Sequence, residues 1–172
     1  MELNNGTSSG GTYVDTDRQS LLINMLQIMQ NAHDLSQMEK QLNATQADFS
    51  LIVNTANNVQ TKSYEFSSTL GMKGWFPQPN TTFASTNFYL NPAWQNIPAP
   101  TDATTWMGVT RRNHLLTSAA EGGVFDMTRF EALIDKRIQN GGARWKMTIY
   151  QMIYNTYDGS LYLKVNSKPK AG

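Results

Sequence analysis

The hydrophobic period of this chain changes between Leu42 and Phe49, and the change limits the folds open to it. Upstream, Leu22, Leu26 and Met29 recur at helical spacing with Leu21, Met25, Ile28 and Ala32 beside them, predicting a helix with a broad buried face. Thr16-Asp17-Arg18-Gln19 has the spacing of a capping box ahead of that helix. Ser36-Gln37-Met38-Glu39 repeats the box before a shorter helix ending near Leu42. Downstream, Phe49, Leu51 and Val53 alternate with Ser50, Ile52 and Asn54, the period of a strand. A turn at Thr55-Ala56-Asn57-Asn58 then leads into a second strand, Val59 to Phe66, antiparallel to the first.

Leu70 to Pro79 reads as a loop, with Gly71, Gly74, Pro77 and Pro79 around an apolar Trp75-Phe76 pair. That pair either lines a ligand pocket or plugs the core beneath the loop. A third strand is expected over Phe83 to Leu90, FASTNFYL, with the Thr86-Asn87 pair near its end. Asn has low β propensity, so Asn87 beside Phe88 and Tyr89 needs a local reason. It is either a turn residue or a carboxamide that donates to a substrate oxygen. A Pro-bounded connection follows, Asn91 to Pro100. A helix is expected from about Ala103 through Arg111 to the Gly122-Gly123 stop, and a second, capped by Asp126 or Thr128, ends at Gly141-Gly142. A hairpin closes the chain, from Lys146 to Tyr154 and Ser160 to Val165 about an Asn155–Gly159 turn.

The order predicts an α+β protein, an antiparallel sheet covered by helices, with the first three strands and the last two joined in one sheet. One domain is expected over residues 15–166, between a flexible Gly/Ser-rich arm at 1–14 and a tail at 167–172. With 172 residues and 40% hydrophobic content the chain can fill one core. Charged residues make up only 16% and the net charge is +1, so nothing here recruits nucleic acid. Its aromatics are not interleaved with Lys or Arg, which disfavours a single-stranded nucleic-acid platform. The longest apolar run, Leu21 to Leu26, is interrupted by Asn24 and falls short of the roughly 20 residues a membrane span requires.

There is no cysteine, so disulfides, thiolate metal sites and a thiol nucleophile within this chain are excluded together. Two histidines without a carboxylate at ligand spacing argue against a catalytic metal, and no phosphate-cradling or dinucleotide-binding motif calls for a cofactor. The triplets at Asn5, Asn43 and Asn80 fit the N-glycosylation pattern without selecting a compartment. What remains are polar residues at strand ends and the helical Arg111, which either holds a substrate carboxylate through its planar fork or makes a surface ion pair.

Several segments together resemble the C-terminal part of the N-terminal-nucleophile hydrolases that cleave linear amides, the penicillin acyltransferase group, with choloylglycine hydrolases and acid ceramidases as distant kin. QNAHDLSQMEKQL resembles that group's leading helix, DFSLIVNTANNVQTKSYEFSS its next two strands, ASTNFYLNP its Asn-bearing strand end, TRRNHLL its Arg-bearing helix, and TIYQMIYNTYDGSLYLKV its closing hairpin. The resemblance runs from about Asp15 to Val165. It implies about half of an αββα sandwich, no cofactor, Asn87 in the oxyanion hole and Arg111 in the place of the group's helix Arg, and Trp75, Phe76 and Phe88 are the candidate substrate contacts. It also implies a nucleophilic Cys on an N-terminal segment or partner chain, a small acyl-amide substrate, and an isolated chain that is inactive. Phe88-Tyr89 departs from the His-Phe that often follows the group's Thr-Asn pair. The alternative from another class is a non-catalytic interaction domain that keeps this half-fold; either way the half-sheet is expected to require a companion chain or a self-dimer.

Overall fold

A computed structural model describes residues 1–75, 77, 81–94, 97–123, 126–146, 148 and 150–165. The chain is α+β and divides into two compact units, Met1–Val109 and Thr110–Gly172, where the sequence reading has one domain.

The first unit is built on a four-stranded antiparallel meander, β1 (Glu2–Asn5), β2 (Leu51–Ala56), β3 (Thr61–Ser67) and β4 (Gly71–Trp75), in the order β1-β2-β3-β4. Its first face carries Leu51 and Val53 opposite Phe66 and Tyr64. On that face pack α2 (Leu21–Asn31), through Leu21, Met25 and Ile28, and α3 (Leu35–Asn43), through Leu42. Each of these side chains, fully buried, contributes about 1.5–3 kcal/mol.

The N-terminal residues, expected to be a flexible arm, form β1 and a short helical turn α1 (Thr7–Gly10). The reason lies in β2, which is buried along Leu51 to Thr55. Its backbone N–H and C=O groups need partners on both edges. β3 supplies one edge, and Glu2 to Asn5 supply the other in the register Glu2↔Asn54 to Asn5↔Leu51. Gly6 then donates to the Ser50 carbonyl at 3.1 Å.

The strand that follows β3 is β4, at Gly71–Trp75, and not the one expected at 83–90, a correction with a clear cause. Gly71, at φ +85°, takes the left-handed backbone that turns the chain back along β3, and Gly74 pairs with Tyr64. The 83–90 segment makes only a Thr86↔Phe88 bridge, with a bend at Asn87. Its Tyr89 and Leu90 N–H groups go to the side chains of Ser9 and Glu65 instead of a ladder.

The helix starts also shift. α2 begins at Leu21, whose N–H is taken by Asp48 Oδ1 at 2.8 Å, and the box at Thr16 caps nothing. Arg18 from that box instead donates to the carbonyls of Ala47 (2.9 Å) and Ser68 (2.7 Å), while its Nε pairs with Asp15 at 2.9 Å. For α3 the capping residue is Asp34, which accepts from Gln37 N at 2.7 Å. The buried face of α2 is narrower than its apolar composition predicts: Leu22, Ile23, Leu26 and Met29 are exposed.

The second unit contains α4 (Gly108–Ala120), whose first two residues belong to the first unit, α5 (Met127–Asp135), and a separate two-stranded sheet of β5 (Tyr150–Tyr154) and β6 (Leu161–Val165). A single sheet was expected; the two sheets are distinct. α4 starts five residues later than expected because Trp106 and Met107 hold left-handed φ values of 50° and 62°. Asp126 caps α5, accepting from Arg129 N at 2.8 Å, and Arg129 reaches back to the carbonyls of Ser118 in α4 and of Gly122 and Gly123 beyond its end. The hairpin closes as expected, with Asn155 N donating to Ser160 O at 2.9 Å.

The N-terminal turn has little room. A Cβ on Gly10 would overlap the Tyr89 hydroxyl and come within 2.6 Å of Ser50 Oγ. Gly10→Ala is therefore expected to cost about 1–3 kcal/mol by overpacking, read as a fall in the urea midpoint. An unchanged midpoint would mean that the N-terminal residues do not dock.

Candidate functional site

The second face of the meander is polar. Cross-strand neighbours place Asn4, Ile52, Glu65 and Lys73 in one row and Asn54, Ser63 and Trp75 in the next. Ser63 Oγ donates to Asn54 Oδ1 at 2.9 Å, so that pair is satisfied within the sheet. Glu65, 1% exposed, is satisfied from outside it.

Its carboxylate accepts from Leu90 N, from Asn91 N at 3.2 Å (Oε1) and 3.1 Å (Oε2), and from Trp94 Nε1 at 2.5 Å. The segment 83–94 thereby lies over the second face. Tyr89 stacks on Trp94 with ring centroids 4.9 Å apart, and its hydroxyl donates to the Phe66 carbonyl. Asn91 Nδ2 donates to the Gly74 carbonyl at 2.5 Å. Burial pushes the Glu65 carboxyl above the ordinary glutamate range, against the opposing pull of the Leu90, Asn91 and Trp94 donors. Burial also raises Tyr89, and the nearby Glu65 adds to that shift.

Asn87 sits at the bend of this segment, half-buried. Its backbone carbonyl accepts from Ser8 Oγ, and its Nδ2 reaches the Asn5 carbonyl at 3.5 Å. Before it, Thr86 is buried and donates through Oγ1 to the Gly108 carbonyl at 3.0 Å; after it, Tyr89 N donates to Ser9 Oγ at 3.1 Å. Asn87 is thus a bend residue, and its carboxamide faces a carbonyl oxygen. Of the two readings left open by the sequence, the turn describes its backbone.

Phe88 is buried at 7% exposure, and Trp75 is partly buried with its ring 5.1 Å from Phe83. Phe76 lies outside the described residues. Clefts of about 230 and 380 Å³ open elsewhere in the unit, the first around Arg18, Ser68 and Thr69, the second around Asn24, Gln27 and Gln41. Asn87, Trp75 and Phe88 line neither.

Arg111 belongs to the second unit. Its Nε donates to the Ala143 carbonyl at 3.2 Å, and His114 Nδ1 lies 2.8 Å from the Gly142 carbonyl one turn further along α4. Both basic side chains therefore tie α4 to the loop that precedes the hairpin. Burial lowers the neighbouring Arg112 from its ordinary value. Among the described residues no three His, Asp or Glu side chains gather as metal ligands would, and no helix is long and apolar enough to cross a membrane.

Glu65 and Trp94 are the residues the sequence reading passed over. Ser63 and Glu65 alternate with Tyr64 and Phe66, which reads as a solvent-facing strand side. The available signal was the Trp in the Pro-bounded connection downstream, whose indole N–H needs an acceptor once buried. Comparison with protein-family models, with characterised proteins and with solved structures finds no match for this chain.

The raised pKa has a definite sign. The folded protein holds the Glu65 proton more tightly than the unfolded chain does, so the stability it confers is full below the ordinary glutamate pKa and is lost as pH rises through the raised value. Wild-type stability measured against Glu65→Gln, which does not titrate, is expected to decline over that window. A pH-independent difference between the two would contradict the raised value.

Proposed function

We propose that this chain is the C-terminal portion, or a subunit, of an N-terminal-nucleophile hydrolase or acyltransferase acting on linear amide C–N bonds. Its helix-covered sheet is then about half of an αββα sandwich. The observation that carries the reading is the Asn87 carboxamide, held at a bend between anchored neighbours, with its N–H directed at a carbonyl oxygen 3.5 Å away. That contact is long for a hydrogen bond, and it mimics what an oxyanion donor does: a carbonyl gaining negative charge draws such a donor closer.

In the assembled enzyme a Cys on the companion segment attacks the substrate carbonyl carbon, its thiol proton passing to the N-terminal amine. Charge collects on the carbonyl oxygen, where Asn87 Nδ2 donates to it. The C–N bond breaks as the amine departs with that proton, and water or an acceptor amine then takes the acyl group from sulfur. Trp75 and Phe88, which belong to the same unit as Asn87, contact the acyl part. The chain has no cysteine, so on this reading the chain alone retains at most the residual catalysis that binding and oxyanion stabilisation give.

The second reading is a non-catalytic interaction domain. Its support is the bare stripe on α2, where Leu22, Leu26 and Met29 are 46%, 60% and 54% exposed. Purification from the natural source, with mass spectrometry of whatever accompanies the chain, separates the two. The enzyme reading expects a Cys-starting companion and hydrolysis of N-acyl amides, with Asn87→Ala lowering kcat about 10²–10³-fold. A complex without such a companion and without amide hydrolysis overturns it in favour of the interaction domain.

A further inference from the structure

Glu65 is the most enclosed carboxylate in the described part of the first unit, and three of its donors come from one short stretch, Leu90, Asn91 and Trp94. Among the described residues no cation comes within ion-pair range of it. Lys73, its cross-strand neighbour on β4, has its ammonium 5.8 Å from the Trp94 ring centroid, and Tyr89 is the other titratable group beside it. From β2 the facing residue is the apolar Ile52, and beyond that β1 presents the neutral Asn4. The carboxylate therefore depends on the segment for its hydrogen bonds, and the segment depends on the carboxylate for its path.

That path runs directly into Asn87. Leu90 and Asn91 are three and four residues beyond it, while Thr86, just before it, is fixed to the Gly108 carbonyl. We infer that Glu65 is the positioning residue for the Asn87 carboxamide: by gripping Leu90, Asn91 and Trp94 it sets where the Asn87 N–H points. The value of that positioning for catalysis rests on the amide-hydrolase reading; the mechanical link does not. Gln cannot replace Glu65 here, because one carboxylate oxygen would become an NH₂ facing the N–H of Leu90 or of Trp94.

The test uses the chain alone, without substrate, so that failure of the hydrolase reading leaves it intact. In a ¹⁵N NMR pH titration of the wild type, the Leu90 and Asn91 amides, the Trp94 indole N–H and the Asn87 carboxamide are expected to follow one titration curve. In Glu65→Gln, hydrogen exchange at Leu90 and Asn91 is expected to quicken about tenfold and the Asn87 carboxamide resonances to move, while the Val53 and Tyr64 amides in the β2–β3 ladder exchange at wild-type rates. An Asn87 carboxamide that stays put while Leu90 and Asn91 titrate overturns the inference. So does equal acceleration at Val53 and Tyr64, which would mark Glu65 as a general stabiliser. If Glu65→Gln does not fold, the wild-type titration decides alone.

Discussion

A carboxylate removed from water on a sheet's polar face must be satisfied, and in the first unit the path of the chain from Leu90 to Trp94 follows from how Glu65 is satisfied. Leaving such a group ionised without hydrogen-bond partners would cost several kcal/mol. Its acceptor positions are filled from a stretch of chain with no ladder of its own. The outcome is a cover held by backbone and indole N–H groups, where a third strand could have lain. Tyr89 and Trp94 give that cover its apolar body, and Ser8, Ser9 and the Phe66 carbonyl tie down its near end.

The two faces of the meander are thus covered by different means. Helices cover the first through Leu, Met and Ile packing on Val53, Tyr64 and Phe66. Burial of apolar area drives that contact, and it tolerates changes of side chain. The second is covered through directed hydrogen bonds, which specify one register and one geometry. This is the kind of setting in which a polar group such as Asn87 can be held in a fixed orientation.

What was legible in the sequence follows the same division. The 3.6- and 2-residue periods mark α2, α3, β2 and β3 because those elements bury one apolar face, and the closing hairpin is marked by its own alternation and an Asn–Gly-bounded turn. β4 was hidden because Gly71 and Gly74 read as breakers, although one makes the turn and the other pairs inside the ladder. β1 was hidden because a Gly/Ser-rich terminus reads as unstructured, and its pairing is dictated by the far edge of β2, some fifty residues away. Of the candidate site, Asn87 was visible as a polar residue among β-formers. The buried state of Glu65 was not, since a Glu in an alternating strand is ordinarily a solvated one.

The central claim is that residues 83–94 form an ordered cover on the sheet's second face with the Trp94 indole at Glu65. Nuclear Overhauser contacts measure this directly in solution. The account predicts cross-peaks from the Trp94 indole N–H to the Glu65 side-chain protons and from the Tyr89 ring to Gly6 and Gly10. Random-coil shifts across 84–94 with none of these cross-peaks would contradict it.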